Sequence, residues 1–334
     1  MRTRTGTAIL AGAASVLLTT TLTVGTTEST PQSATDKPAV SKMSQHRSGH
    51  WRCVARADGR RVRLTAEQAE NASLIATAAR RRGLPTSAAI DALAASYDQS
   101  GLRNIRVGKG DGRGLFRQSA SEGWGTAQRI GDRNYAINAY YDVLSRVKKL
   151  GATPVTGAAR KVKRADLPGS PAKLRADART LSASLLGSSR GSFTCNVDKE
   201  FLKASPRLTA IGLVPRARAV LWDLERHFGP QMVGGFEPRG VNSGHMEGSA
   251  HYEGRAVDIF FRPINPVNKL RGWAMAHYLV AHAERLGVST VIFDAKIWTA
   301  EKSDEGWRHY TPQSDIGDRK ILEHRDHVHV DVFE

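Results

Sequence analysis

The sequence of 334 residues is 40% apolar and 24% charged, a composition that is typical of globular proteins and excludes a largely disordered chain. Its length is sufficient for two domains, each with its own hydrophobic core. The formal net charge of +17, from 49 Lys and Arg against 32 Asp and Glu, predicts a polyanionic partner. Nucleic acid, an anionic membrane and an acidic cell wall all satisfy that prediction, and a basic surface that only keeps the protein soluble is the alternative.

The N-terminal segment has the composition of an export signal. Arg2 and Arg4 precede an apolar run over residues 7–25, and a Thr-, Ser- and Pro-rich stretch follows. We expect residues 1–25 to be a signal peptide and residues 26–50 a flexible linker, so that the folded part is secreted. Because the run does not end in a clean small-x-small cleavage site, an uncleaved membrane anchor is the alternative. No later segment is apolar enough to span a bilayer.

The two cysteines, Cys53 and Cys195, are far apart and form no CxxC pair, which disfavours a metal or redox site. A disulfide bond suits an oxidising exterior and is predicted here. It would tie the start of the first domain to its end. In the chain-entropy model, this bond would contribute on the order of 4 kcal/mol to the free energy of unfolding. Two unconnected buried thiols are the alternative.

Residues 51–195 are expected to form an all-α domain. No convincing alternating strand lies between Thr65 and Gly187, and a capping signal at Thr65 opens the first of several segments with helical periodicity. These predicted helices cover residues 65–83, 87–97, 135–150 and 172–186. The four glycines within residues 108–114 mark a loop between them.

From about residue 205 the pattern changes to helices that alternate with short strands. Helices are predicted over residues 214–227 and 270–286, and strands over 232–236, 256–261, 288–293 and 327–333. This pattern predicts a second domain over residues 205–334, of the α+β class with an antiparallel sheet. The chain is therefore expected to be multidomain, with a boundary between Gly187 and about Ser205.

Three residues of the second domain are candidate metal ligands: His251, Asp258 and His329. A hydrolytic zinc site uses three protein ligands and leaves a fourth position for water. Asp258 lies within the apolar run 256–261, where an unpaired carboxylate is costly to bury, so a metal or another cation is expected beside it. Gly254 allows the chain to turn between the first two ligands.

The last predicted strand has two different faces. A period of two residues places His327, His329 and Asp331 on one face and three valines on the other. Two histidines of this spacing are by themselves more typical of a half-exposed strand, but together with a buried Asp and His251 they favour a metal site. His245, in the loop before His251, is a weaker candidate that could replace a ligand or contact substrate, with a solvated loop histidine as the alternative.

The segments that carry these residues have the patterns SxHxxGxAxD, at residues 249–258, and DHxH, at residues 326–329. In this order they resemble the D-alanyl-D-alanine carboxypeptidase, lysostaphin and hedgehog group of zinc peptidases. Within this group they resemble in particular the D-alanyl-D-alanine carboxypeptidase-like core found in cell-wall enzymes. The resemblance covers about residues 205–334, and it implies that His251, Asp258 and His329 bind Zn²⁺.

The same resemblance implies catalytic roles for Asp326 and His327. Asp326, three residues before the last ligand, takes the position of the acidic general base, and His327 that of a group stabilising the tetrahedral oxyanion. Strand geometry alone places His327, and not Asp326, on the face of the ligands, so which of the two moves the proton stays open. Arg239, in the loop before the first motif, is a candidate for binding a substrate carboxylate, with a solvated loop arginine as the alternative.

A second resemblance covers residues 65–187, in the segments DQSGLRN at 98–104, GLFRQ at 114–118 and SEGWGT at 121–126. These resemble the lysozyme-like lytic transglycosylase domains of actinobacterial secreted proteins. That family has a catalytic Glu where this chain has Gln99, and a glutamine cannot donate a proton to a glycosidic oxygen. The domain is therefore interpreted as a glycan-binding groove or a scaffold. Gln99 and Trp124 are its candidate sugar contacts, with a place in the hydrophobic core as the alternative for Trp124.

These features together predict a secreted, cell-wall-associated zinc metallopeptidase that hydrolyses peptide bonds of peptidoglycan stem peptides, either as a D,D-carboxypeptidase or as an endopeptidase. The expected partners are peptidoglycan and anionic wall polymers, with membrane contact only through an N-terminal anchor. Nucleic acid is not expected, because the sequence has no groove-reading motif. The alternatives are a non-catalytic wall-binding protein with a structural metal and a lysozyme-like glycan-cleaving enzyme, and Gln99 argues against the second.

Overall fold

The computed structural model describes residues 51–106, 110–145, 172–198 and 201–334. The predicted signal peptide, 1–25, and linker, 26–50, lie outside these ranges, as does the end of the predicted helix at 146–150. None of the described helices is both long enough and apolar enough to cross a membrane.

The described chain begins with a β-hairpin. Strand β1, Cys53–Ala57, pairs antiparallel with β2, Arg60–Leu64, through a turn at Asp58 and Gly59, whose φ angles are 49° and 70°. Strand β3, Phe193–Cys195, pairs with the other edge of β1, which gives the order β2-β1-β3. Cys53 lies directly opposite Cys195, and the two form a disulfide bond with an S–S distance of 2.08 Å.

The expectation that residues 51–195 are all-α is therefore wrong at both ends of this range, where β1, β2 and β3 form a sheet. The physical reason is the Asp-Gly turn, because two successive residues with positive φ reverse the chain in register with the twist of the flanking strands. Between these strands the described elements are helical: α1, Ala66–Arg81; α2, Thr86–Ser100; α3, Ala127–Gly131; α4, Arg133–Ser145; and α5, Ala172–Leu185.

Helix α1 begins at a capping box, as its sequence predicts. The Thr65 side chain accepts a hydrogen bond from the backbone N–H of Gln68, and the Gln68 side chain accepts one from the N–H of Thr65. Alanine is the commonest residue on the buried faces of α1 and α2, which allows the two helices to pack closely. Tyr141 of α4 closes this core, and its hydroxyl donates to the Ile75 carbonyl at 2.8 Å.

The second half of the chain contains helices and a larger sheet. Its elements are α6, Pro215–Phe228; β4, Val233–Gly234; β5, Ala256–Phe260; α7, Pro266–Ala281; α8, Ala283–Leu286; β6, Val288–Phe293; β7, Lys296–Thr299; β8, Arg308–His309; α9, Arg319–Leu322; and β9, His327–Val332. The strand order is β4-β5-β9-β6-β7-β8, and every neighbouring pair is antiparallel. The prediction of an α+β C-terminal region with an antiparallel sheet is confirmed.

Strand β9 lies in the middle of this sheet, between β5 and β6, and has the two faces that its alternation predicts. The valines at 328, 330 and 332 are at most 1% exposed and pack in the hydrophobic core. The opposite face carries His327, His329 and Asp331. The β5–β9 register places Asp258 directly opposite His329 and Phe260 opposite His327, so residues from both motifs meet at one place on the sheet.

A buried polar network joins the helical half to the sheet-bearing half. Ser73 of α1 lies 2.7 Å from His282, at the end of α7, and Arg285 forms an ion pair with Asp223 of α6 at 3.0 Å. Burial by itself raises the pKa of Asp223, but the hydrogen bond from His227 and the positive charge of Arg285 outweigh burial and hold that pKa below its ordinary value. The predicted domain boundary between Gly187 and Ser205 stays a prediction.

Candidate metal centre

The candidate centre is built by one turn and two paired strands. His251 lies in the turn that precedes β5, and Gly254 closes this turn with a φ of +66°, donating its N–H to the His251 carbonyl. Asp258 projects from β5 and His329 from β9, where the strand register brings them opposite each other. All three residues are buried, with 2%, 7% and 8% of their surfaces exposed. A short loop and a strand pair thus concentrate polar atoms at a site largely shielded from water.

The donor atoms of these three residues converge. Asp258 Oδ1 lies 3.4 Å from His251 Nε2 and 3.0 Å from His329 Nδ1, and the two nitrogens are 3.2 Å apart. In a tetrahedral zinc site with ligand bonds of about 2.0–2.2 Å, neighbouring donor atoms are roughly 3.3–3.6 Å apart. The observed triangle is close to one face of such a tetrahedron, so the donor set fits a small divalent cation.

The second nitrogen of each ligand histidine is held by an oxygen. His251 Nδ1 lies 2.6 Å from the Gly235 carbonyl, and His329 Nε2 lies 2.7 Å from Asp331 Oδ1. With a metal bound between these donors, the nitrogen that faces the Gly235 carbonyl or Asp331 would keep its proton, and the nitrogen that faces Asp258 would present its lone pair to the metal. This tautomer and ring orientation are the ones that a metal-binding histidine needs.

His245 adds a further ligand-type group to the cluster. Its imidazole stacks on that of His251 with ring centroids 3.9 Å apart. Candidate ligand atoms of His245, His251 and Asp258 all lie within 4.8 Å of one another, so these three residues could hold a metal ion. The sequence ranked His245 below His329, and the structure brings both of them to His251.

The charges around Asp258 show why a cation suits this place. Burial would raise the pKa of Asp258, but hydrogen bonds from His251 and His329 and the nearby imidazole charges hold it well below the ordinary value. For His329, burial by itself would lower the pKa. The charge of Asp331 and the hydrogen bond to Asp258 outweigh burial and raise the pKa of His329 to about 10. The negative charges of Asp258 and Asp331 are thus stabilised by the surrounding imidazoles, and a bound cation would supply the same compensation.

Asp326 and His327 form a second pair at the edge of the cluster. Asp326 Oδ1 lies 2.7 Å from His327 Nδ1, and Asp326 Oδ2 accepts a hydrogen bond from Arg262 Nε, also at 2.7 Å. These two bonds outweigh burial and lower the pKa of Asp326. His327 Nε2 lies 3.8 Å from Asp258 Oδ1. His327 therefore faces the cluster, whereas the carboxylate of Asp326 lies behind it with both oxygens engaged.

The structure does not bring the remaining candidate residues to this centre. Arg239 is exposed in its loop, and no hydrogen bond or ion pair within the described residues joins it to the cluster. Gln99 lies on α2, where its side-chain amide donates to Asp98 Oδ2 at 3.0 Å. Trp124 is only 7% exposed and packs in the hydrophobic core, so its ring has no free face for stacking on a sugar. For Trp124 the structure agrees with the alternative interpretation as a core residue.

Sequence reasoning missed two residues that support the site, Gly235 and Arg262. Gly235 has a φ of +79°, and a β-carbon placed there would lie 2.2 Å from His251 Cε1 and 3.2 Å from Asp258 Oδ2. The pair Gly234-Gly235 at the end of a short apolar run was the available signal, because such a position often marks close approach of the backbone to a site. Arg262 had no comparable signal, since its role depends on a partner 64 residues away.

Replacing Gly235 by alanine is expected to weaken metal affinity about 10- to 100-fold, because the added methyl group displaces the ring of His251 and its hydrogen bond to the Gly235 carbonyl. Metal affinity is measured by competition with a chromogenic chelator. Gly229→Ala is the matched control, since Gly229 has a similar φ of +83° and nothing within 4 Å of an added β-carbon. Equal losses in both variants would show that backbone strain alone is responsible.

The chain matches a known protein family over part of its length. Residues 209–320 match the family model described as VldE, C-terminal domain. The matched range includes His251 and Asp258 and ends before Asp326, His327 and His329. No curated protein matches this chain.

Proposed function

We propose that this chain is a secreted zinc-dependent peptidase that hydrolyses peptide bonds in the stem peptides of peptidoglycan. The convergence of His251, Asp258 and His329 supports the metal site most directly, with donor atoms 3.0–3.4 Å apart and each imidazole held by its second nitrogen. The motifs at 249–258 and 326–329, which resemble the D-alanyl-D-alanine carboxypeptidase-like core, support the substrate class. The Cys53–Cys195 disulfide supports an oxidising location outside the cytoplasm.

The chemistry can be divided between the metal and the side chains. Zinc held by these ligands would supply Lewis acidity toward the scissile carbonyl and lower the pKa of a water molecule toward neutrality. His327 presents Nε2 toward Asp258 and can accept the proton of the attacking water there. Asp326 stabilises the resulting imidazolium through its bond to Nδ1, and Arg262 keeps Asp326 ionised and oriented.

This division of roles assigns the proton to His327 and makes Asp326 a positioning residue. It differs from the role that the family resemblance implies for Asp326, that of general base. The reason is geometric: Asp326 has one oxygen on His327 and the other on Arg262, whereas His327 Nε2 lies on the side of the ligands. Burial of His327, at 6% exposure, also shields the proton transfer from bulk water.

The helical half contributes binding in this proposal. Its resemblance to lysozyme-like domains supports contact with the glycan strand, and Gln99 in place of the family's glutamate argues against glycan cleavage. The side chain of Gln99 is engaged by Asp98 on the same helix. Holding a glycan near the metal centre would raise the local concentration of the peptide stems attached to it.

The proposal is tested with the purified full-length chain and muropeptides ending in D-alanyl-D-alanine. We expect about one zinc per chain by mass spectrometry, and release of D-alanine or cleavage of cross-linked dimers, which distinguishes a carboxypeptidase from an endopeptidase. A strong chelator should remove both metal and activity, and added zinc should restore both. Bound zinc with binding of muropeptides but no bond cleavage would instead identify a wall-binding protein with a structural metal. Release of glycan fragments would identify a glycan-cleaving enzyme.

A further inference from the structure

The small sheet β2-β1-β3 has a solvent-facing side that is rich in arginine. Alternation along the strands buries Val62 and Leu64 of β2 and leaves the side chains of Arg61 and Arg63 exposed, together with Arg56 of β1. We call Arg56, Arg61 and Arg63 the arginine face. These residues line a shallow cavity of about 350 Å³, together with Trp51 at its edge.

The arginine face carries uncompensated positive charge. The strand register places Arg56 directly opposite Arg61, and like charges in that position destabilise a sheet. Among the described residues, none of the three arginines has an ion-pair partner, and Asp304 is the acidic residue in the cavity lining. The neighbouring Arg52 differs, since it is paired with Asp198 at 3.0 Å and with Glu284 at 3.3 Å. Because Arg56 and Arg61 repel each other across a short hairpin, their presence there points to an anionic ligand that neutralises their charge.

The arginine face is also rigid and regularly spaced. The Cys53–Cys195 disulfide locks β1 to β3 beneath it, and β2 is held by pairing along its whole length. Residues two apart on one strand are about 7 Å apart, and neighbouring strands are about 5 Å apart. Guanidinium groups on such a grid can contact successive acidic groups along an extended polymer, with little loss of backbone entropy on binding.

Trp51 suggests which kind of polymer fits. Its side chain is 58% exposed and lines the edge of the cavity, within reach of a ligand bound on the arginine face. An indole ring offers a flat apolar face on which a sugar ring can stack. The disulfide beneath the face indicates an oxidising compartment, where acidic polysaccharides are available and nucleic acid is not the usual partner.

We propose that the arginine face and Trp51 form a binding site for an acidic polysaccharide, a sugar chain that carries regularly repeated anionic groups. The sugar rings stack on Trp51, and their acidic groups pair with Arg56, Arg61 and Arg63. This site uses a different sheet from the metal centre, and it does not depend on the proposed peptidase activity.

The test measures binding of the full-length chain to polygalacturonate, which carries carboxylates, and to dextran sulfate, which carries sulfates, with neutral dextran as the uncharged reference. The variant Arg56→Gln/Arg61→Gln/Arg63→Gln is expected to bind both acidic polymers at least about 10-fold more weakly at fixed salt. Trp51→Ala should also weaken binding to both polysaccharides, but leave binding to inorganic polyphosphate, which has no sugar ring, unchanged.

A matched control distinguishes binding at a specific site from a general effect of net charge. The variant Arg103→Gln/Arg207→Gln/Arg218→Gln removes the same charge from exposed positions outside the face, and it should retain polymer affinity within about 2-fold. Equal losses in both triple variants would overturn the proposal, as would tighter binding of a single-stranded oligonucleotide through the same three arginines. Because the substitutions relieve like-charge repulsion, the melting temperature of the first variant should not fall. A clear fall would overturn the claim that these arginines are kept for binding.

Discussion

Replacing His251 by alanine is expected to abolish tight metal binding and to lower hydrolysis of stem peptides by at least about 100-fold. His251 Nε2 is one corner of the donor triangle, at 3.4 Å from Asp258 Oδ1 and 3.2 Å from His329 Nδ1. Its loss leaves only two of the three proposed ligands, Asp258 and His329, and a catalytic zinc site uses three protein ligands. The bound metal is quantified by mass spectrometry, and turnover is followed by the release of D-alanine or of uncross-linked stems.

His309→Ala is the control for this variant, because His309 is exposed on β8 and lies outside the cluster. It should retain both the metal and the activity. Thermal unfolding of the metal-free proteins checks that His251→Ala still folds. A His251→Ala protein that kept one tightly bound metal and full turnover would contradict the assignment of this residue. Loss of metal with unchanged turnover would contradict the metal-dependent mechanism and leave the site with a structural role.

Loss of the disulfide should have the largest effect on stability. Cys53 and Cys195 are separated by 142 residues, and cross-linking a loop of that length removes about 5 kcal/mol of chain entropy from the unfolded state. The Cys53→Ser/Cys195→Ser variant is therefore expected to lose about 4–5 kcal/mol of unfolding free energy, a large part of the roughly 5–15 kcal/mol typical of a folded domain. Denaturant titration followed by circular dichroism measures this loss.

The wild-type protein, reduced chemically under the same conditions, is the reference for that measurement, and its unfolding free energy should match that of the double serine variant. The loss should come mainly from the unfolded state, so the secondary structure of the variant before the transition should be unchanged. A loss below about 1 kcal/mol would show that the unfolded chain already keeps these segments together, contrary to the entropy argument.

The candidate site could be predicted from the sequence to the extent that its parts are local. A strand of period two places His327, His329 and Asp331 on one face, and the structure has this arrangement, with Asp331 holding His329 Nε2. The pairing of β5 with β9 does not follow from either segment alone. The strand register places Asp258 opposite His329, and this pairing brings the donor atoms of the two motifs together in one cluster.

The first hairpin was missed for a related reason. Five-residue strands such as β2 give too few repeats for their alternation to stand out from the helical periodicity that follows. The Asp58-Gly59 turn was the signal that should have identified it. β3 is shorter still, with three residues, and is a strand only because β1 lies beside it.

The sequence by itself determined the helical periodicities, the two faces of the last strand and the presence of ligand-type side chains at His251, Asp258 and His329, because each depends on residue type and local spacing. Only the tertiary structure decided how the donors are held. The Gly235 carbonyl reaches His251 from 16 residues away, and Arg262 reaches Asp326 from 64. Such hydrogen bonds form only after distant strands pair and bury the groups together, so no local pattern in the chain can encode them.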